Sequence, residues 1–172
     1  MGAPAERVDK SGPAEAPVAA IALGSNLPSG FGDREANLRE AVRRVGELGR
    51  VVGVSGFYDT APVGQVEQPR FLNGAMLLRT ELRAVELMRA LLGVERGMGR
   101  VREAGVEKGP RVIDLDLLLY GEEVMRTEEL VLPHPAMGER EFVLRPLAEI
   151  GAGMRHPGVG LTVGEMLGRV RQ

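Results

Sequence analysis

Two stretches of this sequence carry apolar residues at the helical period, and each lies between short apolar runs of strand length. That order constrains the fold more than any other feature. Val18 to Leu23 is a short apolar run that reads as a buried first strand, ending in a turn at Gly24-Ser25-Asn26. Asp33 is the N-cap of a helix running to about Leu48, with Ala36, Leu38, Ala41, Val42, Val45 and Leu48 at helical spacing and Gly49 as the stop. Val51 to Tyr58, β-branched with glycine interruptions, is a second strand. Thr60 to Pro69 is a loop, and Phe71 to Thr80 a third strand. Leu82 to about Met98 forms a second helix on the stripe Leu87, Leu91 and Val94. Gly99 to Pro110 is a charged loop, and Val112 to Tyr120 a fourth strand. Short helices near Phe142 to Ile150 and Val163 to Val170 close the chain. The order β-α-β-β-α-β with a helical tail predicts a ferredoxin-like α+β sandwich, an antiparallel sheet with helices on one face, plus C-terminal helices. Many unrelated activities use this fold, so it leaves function open.

The 172 residues suit one core, predicted as a single domain over 18–172. Residues 1–17, rich in Ala, Pro and Gly and without an apolar stretch, read as a disordered leader rather than a secretory signal. No apolar run is long enough for a membrane span. Cysteine is absent, which excludes disulfides and thiolate metal sites. A formal net charge of −2 argues against a general nucleic-acid binder. The expectation is a cytoplasmic monomer acting on small molecules. Only Lys10 and Lys108 are lysines among the 22 basic residues. That bias fits a GC-rich genome, and it fits planar forks that grip phosphate.

The densest chemistry lies in Ile113-Asp114-Leu115-Asp116-Leu117-Leu118-Leu119. Strand side chains alternate, so Asp114 and Asp116 share one face while Leu115 and Leu117 enter the core. Paired carboxylates repel unless a cation stands between or beside them, and Mg²⁺ takes one or two such ligands together with substrate phosphates. An acidic exposed strand face explains the pair equally well when it is taken alone. Just upstream, however, stand Arg100, Arg102 and Arg111 in a glycine-bearing segment. Guanidinium forks, a glycine-bearing loop and a carboxylate pair are the parts that polyphosphate transfer uses. There is no P-loop motif. The chain has only four Phe and two Tyr. For Phe71 or Phe142 alone, core packing is the commoner reason, as a structural loop is for His134 and helix surface for Glu95.

Gly109-Pro110-Arg111-Val112-Ile113-Asp114-Leu115-Asp116-Leu117-Leu118 resembles the signature of the hydroxymethyldihydropterin pyrophosphokinases. So do Ala22-Leu23-Gly24-Ser25-Asn26-Leu27 and Phe57-Tyr58-Asp59-Thr60-Ala61-Pro62-Val63-Gly64. Gln68-Pro69-Arg70-Phe71-Leu72-Asn73, Val131-Leu132-Pro133-His134-Pro135 and Glu139-Arg140-Glu141-Phe142-Val143-Leu144 follow in order, so the likeness runs from about Val18 to Ile150. It implies an enzyme that moves pyrophosphate from ATP to the hydroxymethyl group of a reduced pterin in folate synthesis. Asp114 and Asp116 would hold two Mg²⁺ ions, and Arg100, Arg102 and Arg111 would contact the triphosphate. Glu95, His134 and Arg140 would contact ATP, with Lys108 a point charge within reach of a phosphate. Phe71 and Phe142 would sandwich the pterin, Asn73 would bond its edge, and Thr60 and Val63 would add backbone contacts. The sequence departs from the pattern at Glu107-Lys108, where an Arg-Trp pair is usual, at Leu92 in place of Gln, and at Glu129 in place of Arg. The loop from Gly99 to Gly109 is expected to close over ATP. The competing reading is a non-catalytic ferredoxin-like module that binds a nucleotide or pterin.

Overall fold

The computed structural model of the chain describes residues 15–64, 67–100 and 110–172. Arg102 and Lys108, and most of the expected 99–110 loop, lie outside the described residues. The main elements follow the predicted order. They are β1 (Val18–Ser25), α1 (Arg34–Val45), β2 (Arg50–Val54), β3 (Tyr58–Thr60), β4 (Phe71–Arg79), α2 (Ala84–Gly97) and β5 (Asp114–Tyr120). A small hairpin, β6 (Met125–Arg126) with β7 (Val131–Leu132), leads to α3 (Glu141–Gly151) and α4 (Val163–Val170). Asp33 caps α1 as expected, accepting the Ala36 N–H at 2.9 Å. The helix ends at Val45 and a 3₁₀ turn carries the chain to Leu48.

The sheet runs β2-β4-β1-β5, with β3 also pairing β4, and every pairing in it is antiparallel. Helices α1 and α2 cover one face, where Leu38, Ala41, Leu87 and Leu91 meet Ile21, Leu23, Met76, Leu78, Leu115 and Leu117. Each large side chain fully buried there contributes about 1.5–3 kcal/mol. The C-terminal helices add a third layer on the opposite face: Val143, Leu144, Leu147 and Met166 pack on Ala20, Ala75, Leu77, Leu118 and Leu119. The expectation of helices on one face therefore holds for the two crossover helices and not for the tail, whose apolar residues need a surface of their own. No described helix is long and apolar enough to cross a membrane.

Three local differences from the sequence reading have physical causes. The single strand expected from Val51 to Tyr58 breaks at Ser55–Phe57, where the Ser55 side chain accepts the Ala75 N–H at 2.9 Å in place of a backbone ladder bond. The turn expected at Gly24-Ser25-Asn26 starts later, because β1 pairs with β4 through Ser25. Residues 15–17 of the expected leader are ordered: Arg79 Nη1 donates to the Ala16 carbonyl at 2.7 Å, and the Thr80 N–H to that of Pro17 at 3.2 Å. Residues 1–14 lie outside the described residues.

Strand β5 carries one residue more than β1 opposite it. Ala20 pairs with Leu119 and Ile21 with Leu117, so Leu118 is a bulge. Leu118 and Leu119 both enter the third layer, and Tyr120 is returned to the first, where its hydroxyl donates to the Leu82 carbonyl. Upstream of the bulge the alternation is regular. Asp114 and Asp116 thus lie on the sheet face that α3 and α4 cover elsewhere, at the end those helices leave open.

Candidate active site

The floor of the site is a row across three strands. Gly24 of β1 stands opposite Asn73 of β4 on one side and Asp114 of β5 on the other. Ala22 stands between Ala75 and Asp116 in the next row. A Cβ on Gly24 would lie 3.1 Å from Asn73 Oδ1 and 3.8 Å from both Phe71 Cδ1 and Asp114 Cβ. Glycine is what lets these side chains converge. Above the floor opens a cleft of 360 Å³ whose lining includes Thr60, Val63, Phe71, Asn73, Arg100, Arg111, Asp114, Asp116, His134, Arg140 and Phe142. Eleven of the residues singled out from the sequence therefore line one cleft, drawn from β3, β4, β5, α3 and the segments between them.

The cationic side of the cleft is tightly organised. Arg100 Nη1 lies 2.8 Å from Asp114 Oδ1, 2.8 Å from Glu95 Oε2 and 3.2 Å from the Ile113 carbonyl. Arg111 Nη1 donates to Asp114 Oδ2 at 3.2 Å. The Arg100 side chain is only 8% exposed, so its charge is balanced by these carboxylates rather than by water. Glu95 is 1% exposed and sits beneath Arg100 instead of on the cleft surface, and it also accepts the Leu115 N–H at 2.7 Å. The sequence did hold a signal for this. Glu95 follows Leu87 and Leu91 at four-residue steps, so it lies on the buried stripe of α2.

Two aromatic rings share the lining with these cations. The Arg111 guanidinium lies 5.3 Å from the centre of the Phe71 ring and that of Arg140 5.7 Å from the centre of Phe142, so each ring stands beside a cation. Asn73 is 8% exposed, and its amide donates to the Thr60 hydroxyl. His134 is held by its own backbone N–H, which donates to the Leu118 carbonyl at 2.9 Å. Its Nδ1 accepts the Ala136 N–H at 3.2 Å. Burial pushes the imidazole below its usual range; the charge of Arg140 adds to this and that of Asp114 opposes it. A neutral ring accepting at Nδ1 carries its proton on Nε2, a donor suited to an anionic oxygen.

Two residues read only as a turn or not singled out also build the site. Asn26 is 2% exposed and joins the two flanks of the cleft. Its amide donates to Gln68 Oε1 at 2.9 Å and the Pro69 carbonyl at 3.0 Å, and its Oδ1 accepts the Arg111 N–H at 2.8 Å. Ala61 lines the cleft beside Thr60. Behind Asp116 and His134 lies a second recess of 230 Å³, lined by Met88, Leu91, Leu92, Leu117 and Leu130 with Glu129 at its edge. Arg89 holds Glu129 by a fork of 2.6 and 2.7 Å.

Residues 20–152 match the family described as 7,8-dihydro-6-hydroxymethylpterin-pyrophosphokinase (HPPK). The chain is similar to the 2-amino-4-hydroxy-6-hydroxymethyldihydropteridine pyrophosphokinase of Bacillus subtilis, with 47% identity over 135 residues covering 77% of each chain. It is similar to the protein of that name from Pseudomonas aeruginosa, with 42% identity over 137 residues, 80% of this chain and 82% of the other. Among solved structures, wild-type Plasmodium falciparum HPPK-DHPS superposes with a TM-score of 0.66 at 13% identity, over 90% of this chain and 45% of that one. This chain thus spans under half the length of that protein, and the likeness bears on the fold.

Proposed function

The chain belongs to the 7,8-dihydro-6-hydroxymethylpterin-pyrophosphokinase family, and we propose that it transfers the pyrophosphoryl group of ATP, with Mg²⁺, to the hydroxymethyl group of 6-hydroxymethyl-7,8-dihydropterin, a step of folate synthesis that releases AMP. The observation that carries this reading is the meeting, in one cleft, of a carboxylate pair, a set of guanidiniums and two aromatic rings.

The residues fit the metal. Among the described residues no group of three His, Cys, Asp or Glu side chains converges. Asp114 and Asp116 are instead the sparse, hard-oxygen set that Mg²⁺ takes when substrate phosphates complete its shell. Both ions that the family resemblance implies would rest on this pair. When bound there, Mg²⁺ supplies positive charge that offsets the charge of the phosphate oxygens. Arg100 and Arg111, now paired with Asp114, would turn their forks to the triphosphate. His134 would donate from Nε2 to a phosphate oxygen, and Arg140 would close on the chain from the α3 side. The purine would enter the apolar recess past Leu92 and Leu117. The pterin would lie between Phe71 and Phe142, where offset stacking contributes about 0.5–1.5 kcal/mol per ring. Asn73 would bond its edge and the backbone at Thr60 and Val63 its amide.

In the reaction the hydroxymethyl oxygen bonds to the β-phosphorus. The bond from that phosphorus to the oxygen bridging it to the α-phosphorus breaks, and AMP leaves with the electron pair. The alcohol proton passes to water or to one of the two aspartates. The protein's part is positioning and charge neutralisation. The chain acts, in this reading, as a single domain over 18–172, a cytoplasmic monomer on small molecules with no nucleic-acid partner. Incubation with ATP, Mg²⁺ and the reduced pterin tests the function. AMP that appears only when both pterin and Mg²⁺ are present supports it. Pterin binding without AMP identifies a non-catalytic module, and no pterin binding rejects the reading.

A further inference from the structure

Helix α3 carries Phe142 at its start, and Arg145 and Glu149 follow three and seven residues later on the same stripe. The latter two meet the segment around β3. The Arg145 guanidinium lies 4.4 Å from the centre of the Tyr58 ring. Glu149 Oε2 accepts the Gly56 N–H at 2.8 Å, and its Oε1 accepts the Tyr58 hydroxyl. Gly56 lies in the break between β2 and β3. Tyr58 pairs with Asn73 across the sheet, two residues before Thr60, whose hydroxyl accepts from Asn73. One end of α3 therefore presents a ring to the cleft, and the other end is tied to the strand that presents Thr60 to the same cleft.

We propose that Glu149, acting through Tyr58 and Gly56, is a positioning residue that sets the distance between the Phe142 wall and the Thr60–Val63 wall, and with it the affinity for the reduced pterin. This rests on the reading of the cleft as a pterin site. Glu149 reaches no substrate: it does not line the cleft, and its effect passes through β3. The Tyr58 hydroxyl, and after it the Gly56 N–H, hold its carboxyl below the usual range, so it stays an anionic acceptor at neutral pH. Gly56 and Glu149 are exposed and Tyr58 is half-buried, so water can replace these hydrogen bonds and they add little net to folding. Loss of the tie should therefore move the wall without unfolding the chain.

The test measures kcat, the KM for pterin, the KM for ATP and the melting temperature of wild type, Glu149→Ala, Glu149→Gln and Tyr58→Phe. Misplacing a bound substrate by about 1 Å can cost on the order of a hundredfold in rate, and a fraction of that displacement about tenfold in kcat/KM. Glu149→Ala should raise the pterin KM by about that factor, with the ATP KM and the melting temperature close to wild type. Tyr58→Phe removes one of the two ties and should raise it less. Glu149→Gln keeps an acceptor and should restore most of the affinity. An unchanged pterin KM in Glu149→Ala overturns the proposal, as does a parallel loss of ATP affinity and thermal stability. A wild-type protein that neither binds pterin nor forms AMP sinks the site reading itself, and this proposal with it. Normal wild-type turnover beside an unaffected Glu149→Ala sinks the proposal alone.

Discussion

Replacing Glu95 with alanine removes the buried carboxylate that supports Arg100. Two groups lose an acceptor: the Leu115 N–H at 2.7 Å, and Nη1 of the 8% exposed Arg100, which keeps Asp114 and the Ile113 carbonyl. Breaking one side of a buried ion pair costs about 3–5 kcal/mol when the remaining charge is left unpaired; Asp114 still faces Arg100 at 2.8 Å, so the loss here sits at the lower end of that range. A domain of this size loses about 2–4 °C of melting temperature per kcal/mol, so the midpoint should fall by roughly 6–12 °C. Glu95→Gln keeps an acceptor for Leu115 and a neutral one for Arg100, and should lose only about 1–3 kcal/mol. Arg100 would also drift from its place between Glu95 and Asp114, so turnover should fall in both variants, more in Glu95→Ala. Thermal melting followed by circular dichroism, paired with AMP release at saturating substrates, reads both effects. Melting of Glu95→Ala within about 2 °C of wild type would refute the claim that Glu95 is the anchor of Arg100. So would turnover that survives while stability collapses.

Asp116→Ala withdraws half of the carboxylate pair; losing several kcal/mol of charge stabilisation should slow AMP release by at least about a hundredfold, and normal turnover would remove the metal-site assignment. Gly24→Ala places a methyl 3.1 Å from Asn73 Oδ1; the amide must shift from Thr60, and the pterin KM should rise several-fold while the ATP KM holds. Glu40 lies between Arg43 and Arg44 on α1, whose hydrogen bonds lower its pKa from 4.5 to about 2. A carboxyl lowered in the folded state contributes stability above its unfolded pKa and loses it as pH falls from about 4.5 through about 2. The melting difference between wild type and Glu40→Gln should therefore shrink across that window, and a constant difference would contradict the assignment.

The order of elements was legible in the sequence because helical and strand periods are local, and α1 and α2 each bury one face. The shared face of Asp114 and Asp116 was legible for the same reason. What escaped depends on partners distant in sequence. The break between β2 and β3 is made by Ser55 bonding across to Ala75. Leu118 looks like any leucine in a run, and only the pairing with β1 makes it a bulge. Asn26 sits in a Gly-Ser-Asn string that any turn can carry, and its role comes from Gln68, Pro69 and Arg111. Glu95 was visible as a charge on an apolar stripe, yet its partner lies five residues beyond, past the helix end.

The row Asn73, Gly24, Asp114 has a consequence for how such a site can vary. Adjacent strands are about 4.8 Å apart, so the residue that would meet the pterin and the residue that would meet the metal stand about 10 Å from each other at the backbone. That spacing works as a ruler marked only in whole strands. Mutation cannot lengthen it by half an ångström; it can only exchange the side chains at either end. A change of substrate size in this architecture must therefore be met at the walls, by the loop after β3 or the start of α3, while the floor keeps its measure.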